Sequence, residues 1–157
     1  MTKFQLKVLF KSAYELILAF LQFFIIAIHF FQWELLPKKQ IIQVTPISYF
    51  IGILIIIIAF IIMLVAIKDL GRNLSPFPRP ITNSNLVTTG IYRFTRHPMY
   101  YSLIFISFGF FIIKLSVYYL CLSISLALII KSKIVLEEQY LNNKFKNYLL
   151  YKNEVKY

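Results

Sequence analysis

The sequence predicts an all-α integral membrane protein with four transmembrane helices, a long cytoplasmic loop, a C-terminal amphipathic helix and both termini inside. Three observations carry this. The 157 residues are 59% hydrophobic and 15% charged, with a mean hydropathy of +0.72. A water-soluble chain of this length needs a polar shell that such a composition cannot supply. Apolar runs of about 20 residues recur, each roughly 30 Å of helix, which matches the hydrocarbon layer. Finally, 17 Lys and Arg against 6 Asp and Glu give a net charge of +11. That excess gathers around the apolar runs, where it suits anionic headgroups better than nucleic acid. Four glycines leave no room for a dinucleotide fingerprint or a phosphate-cradling loop, which excludes a soluble Rossmann-type enzyme. The one cysteine, Cys121, sits in an apolar stretch and has no intrachain partner.

The whole chain, 1–157, reads as one membrane domain. The first span covers 13–32. It is too long for a cleaved signal peptide, and no small-residue cleavage site follows it. Lys3, Lys7 and Lys11 precede it at every fourth residue, a stripe that reaches headgroup phosphates from one helix face. Glu15 is expected to snorkel to the inner interface, and His29 and Trp33 to join an outer aromatic belt. The second span, 48–67, has an uncharged core, GILIIIIAFIIMLVAI, and ends at Lys68 and Asp69, a default local ion pair. The region 99–130 is too long for one span unless strongly tilted. As a hairpin around 114–116 it gives two short spans, 99–113 and 115–131, although no Gly or Pro marks the turn. Positive charge decides for the hairpin. It leaves only Lys38, Lys39 and Lys114 outside and keeps the lysines of the tail on the inner side with those of the loop and N-terminus.

Two stretches remain outside the bilayer, the loop 70–98 and the tail. In the loop, SPFPRP favours an extended polyproline-like path, and Gly90 supplies a turn. Pro98 suits the first turn of the third span, which puts His97 near its N-cap beside free backbone N–H groups, a ready anion site. Arg93 and Arg96 are either a basic collar at the headgroups or cations for a ligand. In the tail, Ile134, Leu141, Phe145 and Tyr148 space an amphipathic surface helix over 132–150. Glu137 and Glu138 either neutralise nearby lysines, Lys133 being four residues before Glu137, or hold a cationic or hydroxyl-rich ligand. Two distant histidines and one cysteine do not make a metal site.

Three segments then carry a resemblance: LGRNLSPFPRP at 70–80, LVTTGIYRFTRHPMY at 86–100, and EEQYLNNKF followed by YLLYKNEV across 137–155. Together they resemble the isoprenylcysteine carboxyl methyltransferase and phospholipid methyltransferase superfamily of integral-membrane enzymes. The resemblance implies S-adenosylmethionine as cofactor. By position it places cofactor contacts on Ser84, Asn85, Leu86, Val87, Tyr92, His97, Pro98, Met99, Tyr100, Glu137 and Glu138. It places substrate contacts on Lys133 and Arg96 and assigns no catalytic residue. Lys133 stands where the carboxyl methyltransferases carry arginine, and lysine cannot form a bidentate fork. Ser102 stands where glycine is usual.

The chemistry of these residues agrees with that reading. Carboxylates accept bonds from ribose hydroxyls or an ammonium group, and the faces of Tyr92 and Tyr100 suit adenine or a sulfonium. The expected reaction is carboxyl O-methylation of a lipophilic substrate of the isoprenylcysteine type, entering from the bilayer. N-methylation of a phospholipid headgroup or S-methylation of a small thiol are the alternatives within enzymes, and a non-catalytic membrane anchor or subunit is the alternative outside them. Apart from the bilayer and its substrate no partner is expected, neither nucleic acid nor metal. Spans with so few interior polar residues do not line a transport path.

Overall fold

The computed structural model describes residues 3–30 and 40–156, with side chains at 10–29 and 40–156. The described residues form five α-helices: α1 (Lys3–Phe30), α2 (Pro46–Leu70), α3 (Pro98–Lys114), α4 (Val117–Lys144) and α5 (Tyr148–Glu154). Phe10–His29, Pro46–Asn73 and Val117–Lys144 are long and apolar enough to cross a membrane, and α3, with 17 residues, is a shorter apolar helix. The side chains of Lys3 and Lys7, the expected end of the first span at 31–32, and Trp33, Lys38 and Lys39 lie outside the described residues.

The packing is that of a protein solvated by lipid. Large apolar side chains such as Phe20, Phe50 and Ile61 point outward. Beside a small apolar core of Ile25, Tyr100, Leu126 and Ile130, many buried positions are small or polar, among them Ala59, Ala66, Ser102, Ser107 and Ser123. With hydrocarbon on the outside, little is gained by burying more of it, so close backbone approach and interhelical hydrogen bonds hold the helices together. The α2–α3 pair has the most extensive interface. Its backbones meet at Gly52 and Gly109, where a Cβ on Gly109 would lie 2.5 Å from Ile56 Cγ1 and 3.0 Å from the Gly52 carbonyl oxygen. Ser102 is buried, and its hydroxyl bonds the Pro98 carbonyl of its own helix at 2.9 Å.

Local signals set the helix ends. Thr45 and Ser48 form a reciprocal capping box ahead of α2, with Pro46 in the first turn. Pro98 opens α3 behind His97, as the missing proline N–H allows. The turn between α3 and α4 falls at 114–116. Leu115 takes the left-handed conformation (φ 43°) that glycine usually supplies, and its N–H bonds the Phe111 carbonyl at 2.7 Å. The incoming segment braces it, since the Ile41 N–H donates to the Leu115 carbonyl at 2.7 Å and Gln40 pairs with Ser116.

One boundary differs from expectation. No separate surface helix covers 132–150. Instead α4 runs unbroken to Lys144, about 42 Å at 1.5 Å per residue, and so continues past a hydrocarbon layer of roughly 30 Å. In its last turns Lys133 and Leu136 are buried. The chain then turns at 145–147 into α5, whose Tyr148 and Tyr151 are buried.

A polar string crosses the bundle interior. His29 Nδ1 bonds the Ile25 carbonyl at 2.8 Å, and its Nε2 lies 2.8 Å from Ser107 Oγ. Ser107 donates to Ser123 at 2.9 Å, and Ser123 to the Tyr119 carbonyl at 2.9 Å. His29 is thus a buried link between α1, α3 and α4 and not a member of an interfacial belt.

Candidate functional site

The loop between α2 and α3 is shaped by a few polar anchors. Gly71 (φ 53°) ends α2, and the Asn73 carboxamide oxygen accepts the Asn85 N–H at 3.1 Å, drawing the loop's two limbs together. Asp69 does not spend its carboxylate on a bond to Lys68. Its Oδ2 accepts the Ile91 N–H at 2.8 Å, which fixes the helical turn Gly90–Arg93 against the end of α2. Gly90 (φ 62°) must be glycine there, since a Cβ would lie 2.1 Å from that same carboxylate oxygen. On the other side Lys144, at the end of α4, donates to the carbonyls of Ile81 and Thr82 and to Ser84 Oγ. The loop is therefore tied to α2 at one limb and to α4 at the other.

Between loop, α4 and α5 lies a cleft of about 80 Å³. Ser84, Asn85, Leu86, Val87 and Tyr92 line it from the loop, Glu137 and Leu141 from α4, and Phe145, Tyr148 and Tyr151 from the tail, with Arg96 at its edge. Of the sequence-derived cofactor residues, these loop residues and Glu137 share one cavity wall. His97, Pro98, Met99, Tyr100 and Glu138 stand outside that lining. His97 and Tyr100 form a buried stacked pair behind it, ring centroids 5.8 Å apart.

The two adjacent glutamates do different things. Glu138 is saturated with cations: Oε1 takes Arg96 Nη2 at 2.9 Å and Nε at 3.0 Å and faces His97 Nε2 at 3.4 Å, while Oε2 takes Lys152 Nζ at 2.6 Å. Arg96 also donates to the carbonyls of Lys152 and Val155, so this cluster fastens the far end of α5. Glu137 faces the cleft. Its carboxylate interacts with the Tyr100 hydroxyl and lies within electrostatic reach of His97 and Lys133. Burial, reinforced by the Glu137 charge, pushes the Tyr92 hydroxyl well above the usual tyrosine range, so it remains a neutral group beside that carboxylate. Tyr151 is pushed up to about 12, chiefly by burial, and donates to the Tyr92 carbonyl at 2.6 Å.

The two expected substrate contacts are otherwise engaged. Arg96 is bound as above. Lys133 is 1% exposed, and its ammonium donates to Gln22 Oε1 at 2.7 Å and to the Pro76 carbonyl at 3.0 Å, with the Tyr100 ring face 5.4 Å away. It ties α1, the loop and α3 to α4. Glu15 does not simply snorkel either: Arg79 Nη2 reaches it at 3.4 Å and the Tyr140 hydroxyl donates to it, with Lys11 Nζ 3.9 Å above the Tyr140 ring.

Sequence reasoning passed over Gln22, Asn73, Lys144 and the tail tyrosines as site-forming residues. The spacing of Phe145, Tyr148 and Tyr151 at every third residue was the signal for the last of these, since it puts three aromatic groups on one side of the turn into α5. Among the described residues no group of three His, Cys, Asp or Glu side chains could hold a metal ion.

Chemically, the cleft offers one available carboxylate, several aromatic faces and a wall of backbone and hydroxyl groups at the end of an apolar bundle. Residues 47–148, well over half the chain, match the family model described as phospholipid methyltransferase. No curated protein and no solved structure matches the chain.

Proposed function

The chain belongs to the phospholipid methyltransferase family, a family of membrane methyltransferases, and from that premise we propose that it transfers a methyl group from S-adenosylmethionine to the headgroup of a bilayer lipid. An amine is the favoured acceptor. The cleft's groups suit the cofactor. Glu137 accepts from hydroxyl or ammonium groups, Tyr92 and Tyr151 offer aromatic faces, and 84–87 offer backbone contacts. A cleft of this size holds only part of such a molecule. When bound, the cofactor supplies an electrophilic methyl carbon on a sulfonium. The residues here align it against an acceptor and keep water away, the main contributions a displacement of this kind needs.

The observation that favours an amine over the isoprenylcysteine carboxylate is the commitment of Lys133 and Arg96. A carboxylate acceptor needs cations to hold it. Lys133 and Arg96 already donate to protein acceptors, and Arg93, the third candidate, is exposed over the Phe94 ring outside the cleft lining. An amine headgroup needs no such cation. Its ammonium must first release a proton, which passes to interfacial water, before the nitrogen lone pair attacks the methyl carbon and displaces a neutral thioether. On this reading the cleft and both termini face the cytoplasm, consistent with the loop and tail lysines.

The test is reconstitution with methyl-labelled S-adenosylmethionine in vesicles of phosphatidylethanolamine, beside vesicles doped with a farnesylated cysteine. Label in lipid that mild alkali does not release as methanol supports N-methylation. Label released as methanol by mild alkali, and only with the prenyl cysteine, supports the carboxyl reading. Label in neither returns the chain to the non-catalytic anchor.

A further inference from the structure

Tyr148, on the wall of the cleft, is 1% exposed and has a hydroxyl with no hydrogen-bond partner. Buried polar atoms are nearly always bonded, and one that is not costs free energy that the ligand-free protein does not recover. The other such atoms among the described residues, on Thr95, Ser116 and Tyr118, belong to residues outside the cleft lining, whereas Tyr148 forms part of its wall. The neighbours that could have satisfied it are spent elsewhere. Arg96 and Lys152 are on Glu138 and Tyr151 is on the Tyr92 carbonyl.

We infer that the Tyr148 hydroxyl is a ligand contact, donating a hydrogen bond to an acceptor on bound S-adenosylmethionine; this rests on the cofactor reading above. Other lining residues, among them Asn73, Asn85 and Arg79, also carry donors; Tyr148 is the one whose donor is buried without a partner. Glu137 only accepts, and a ribose hydroxyl, which both gives and takes a hydrogen bond, is matched by a carboxylate and a phenol together. Burial, with Glu138 next in effect, raises the hydroxyl well above the usual tyrosine range, so it keeps its proton and acts as a donor. The position is one that the family-based reading of the site did not include.

Tyr148→Phe removes the oxygen and leaves the packing. The experiment measures S-adenosylmethionine binding by calorimetry and thermal unfolding without ligand, on detergent-purified wild type, Y148F and E137Q. The expected result is a dissociation constant about tenfold weaker for Y148F, with an unliganded melting temperature equal to or above wild type. Unchanged affinity with a raised melting temperature would make the hydroxyl a packing defect and overturn the inference. A lowered unliganded melting temperature would also overturn it, by revealing a partner within the protein. If the wild type itself does not bind, the cofactor reading fails first and takes this inference with it. Loss of binding in E137Q with wild-type affinity in Y148F refutes the tyrosine assignment alone.

Discussion

Arg96 and Glu138, 42 residues apart, meet through two contacts on one carboxylate oxygen, at 2.9 and 3.0 Å, while a further nitrogen of the same guanidinium holds the Val155 carbonyl. The pair joins the residue before His97 to both the end of α4 and the end of the tail. It is mostly buried, with the Arg96 and Glu138 side chains 12% and 13% exposed.

Glu138→Gln should therefore loosen α5 before it affects anything else. Removing one partner leaves Arg96, Lys152 and His97 facing a neutral amide, a loss of about 2–3 kcal/mol for a pair at this depth. Faster cleavage by trypsin within 145–156, together with a lower melting temperature, is the expected result.

Glu137→Gln should behave in the opposite way. Its carboxylate faces the cleft, and its bond to the Tyr100 hydroxyl is one a glutamine oxygen can still accept. The unliganded protein should therefore melt within a few degrees of wild type while S-adenosylmethionine affinity falls tenfold or more. Equal thermal losses in E137Q and E138Q would contradict the division of roles between the two glutamates.

Gly109→Val should prevent α2 and α3 from closing. Its Cβ alone would sit 2.5 Å from Ile56 Cγ1 and 3.0 Å from a backbone oxygen, and a backbone cannot rotate away. Overpacking of this kind costs about 1–3 kcal/mol or more. Reduced yield of monodisperse protein in detergent gel filtration is the readout, with Gly71→Ala as the comparison: that site has open space around it and loses only the glycine conformation.

Gly90→Ala tests the loop. The added methyl would collide with the Asp69 carboxylate, and φ of 62° is unfavourable for alanine. The Ile91 N–H bond should be lost and Tyr92 displaced. Cofactor binding should weaken in G90A, and D69A should reproduce the defect without any backbone strain.

Tyr151 gives an alkaline window. Its hydroxyl is raised from 10.0 to about 12 in the folded chain. Below about pH 10 it is protonated in both folded and unfolded states, and its contribution is complete. As pH rises from 10 towards 12 the unfolded chain ionises first, so that contribution is progressively lost. The stability difference between wild type and Tyr151→Phe should shrink across this window and stay constant below it.

The helical class and the approximate spans were legible because lipid imposes length and composition on a helix irrespective of its neighbours. Pro98 announced the start of α3 in the same local way. Leu115 did not announce the hairpin. A leucine in the left-handed region is tolerated only because Gln40 and Ile41 brace the turn from elsewhere, and that support leaves no trace in the residues 114–116. The cleft divides similarly. Its loop wall was recognisable from the motif. Lys133 was not recognisable as a strut, because its acceptor Gln22 lies 111 residues away. The continuation of α4 through 132–144 was hidden for the same reason, since the bonds made there by Lys133 go to α1 and the loop and leave no trace in the periodicity of α4.

The string from Ile25 to Tyr119 has an arithmetic of its own. It contains four links. The two carbonyls at its ends bring no hydrogen, so Nδ1 of His29 must carry one for Ile25 and Ser123 must give its only one to Tyr119. Ser107 then spends its hydrogen on Ser123 and turns lone pairs toward Nε2. Four links need four hydrogens, and a neutral imidazole with two hydroxyls brings three. The full string closes only on an imidazolium, so the interior of this bundle is one proton short of complete. Nitrogen NMR of His29 reads the count directly: two protonated ring nitrogens close the string, and one leaves a link open.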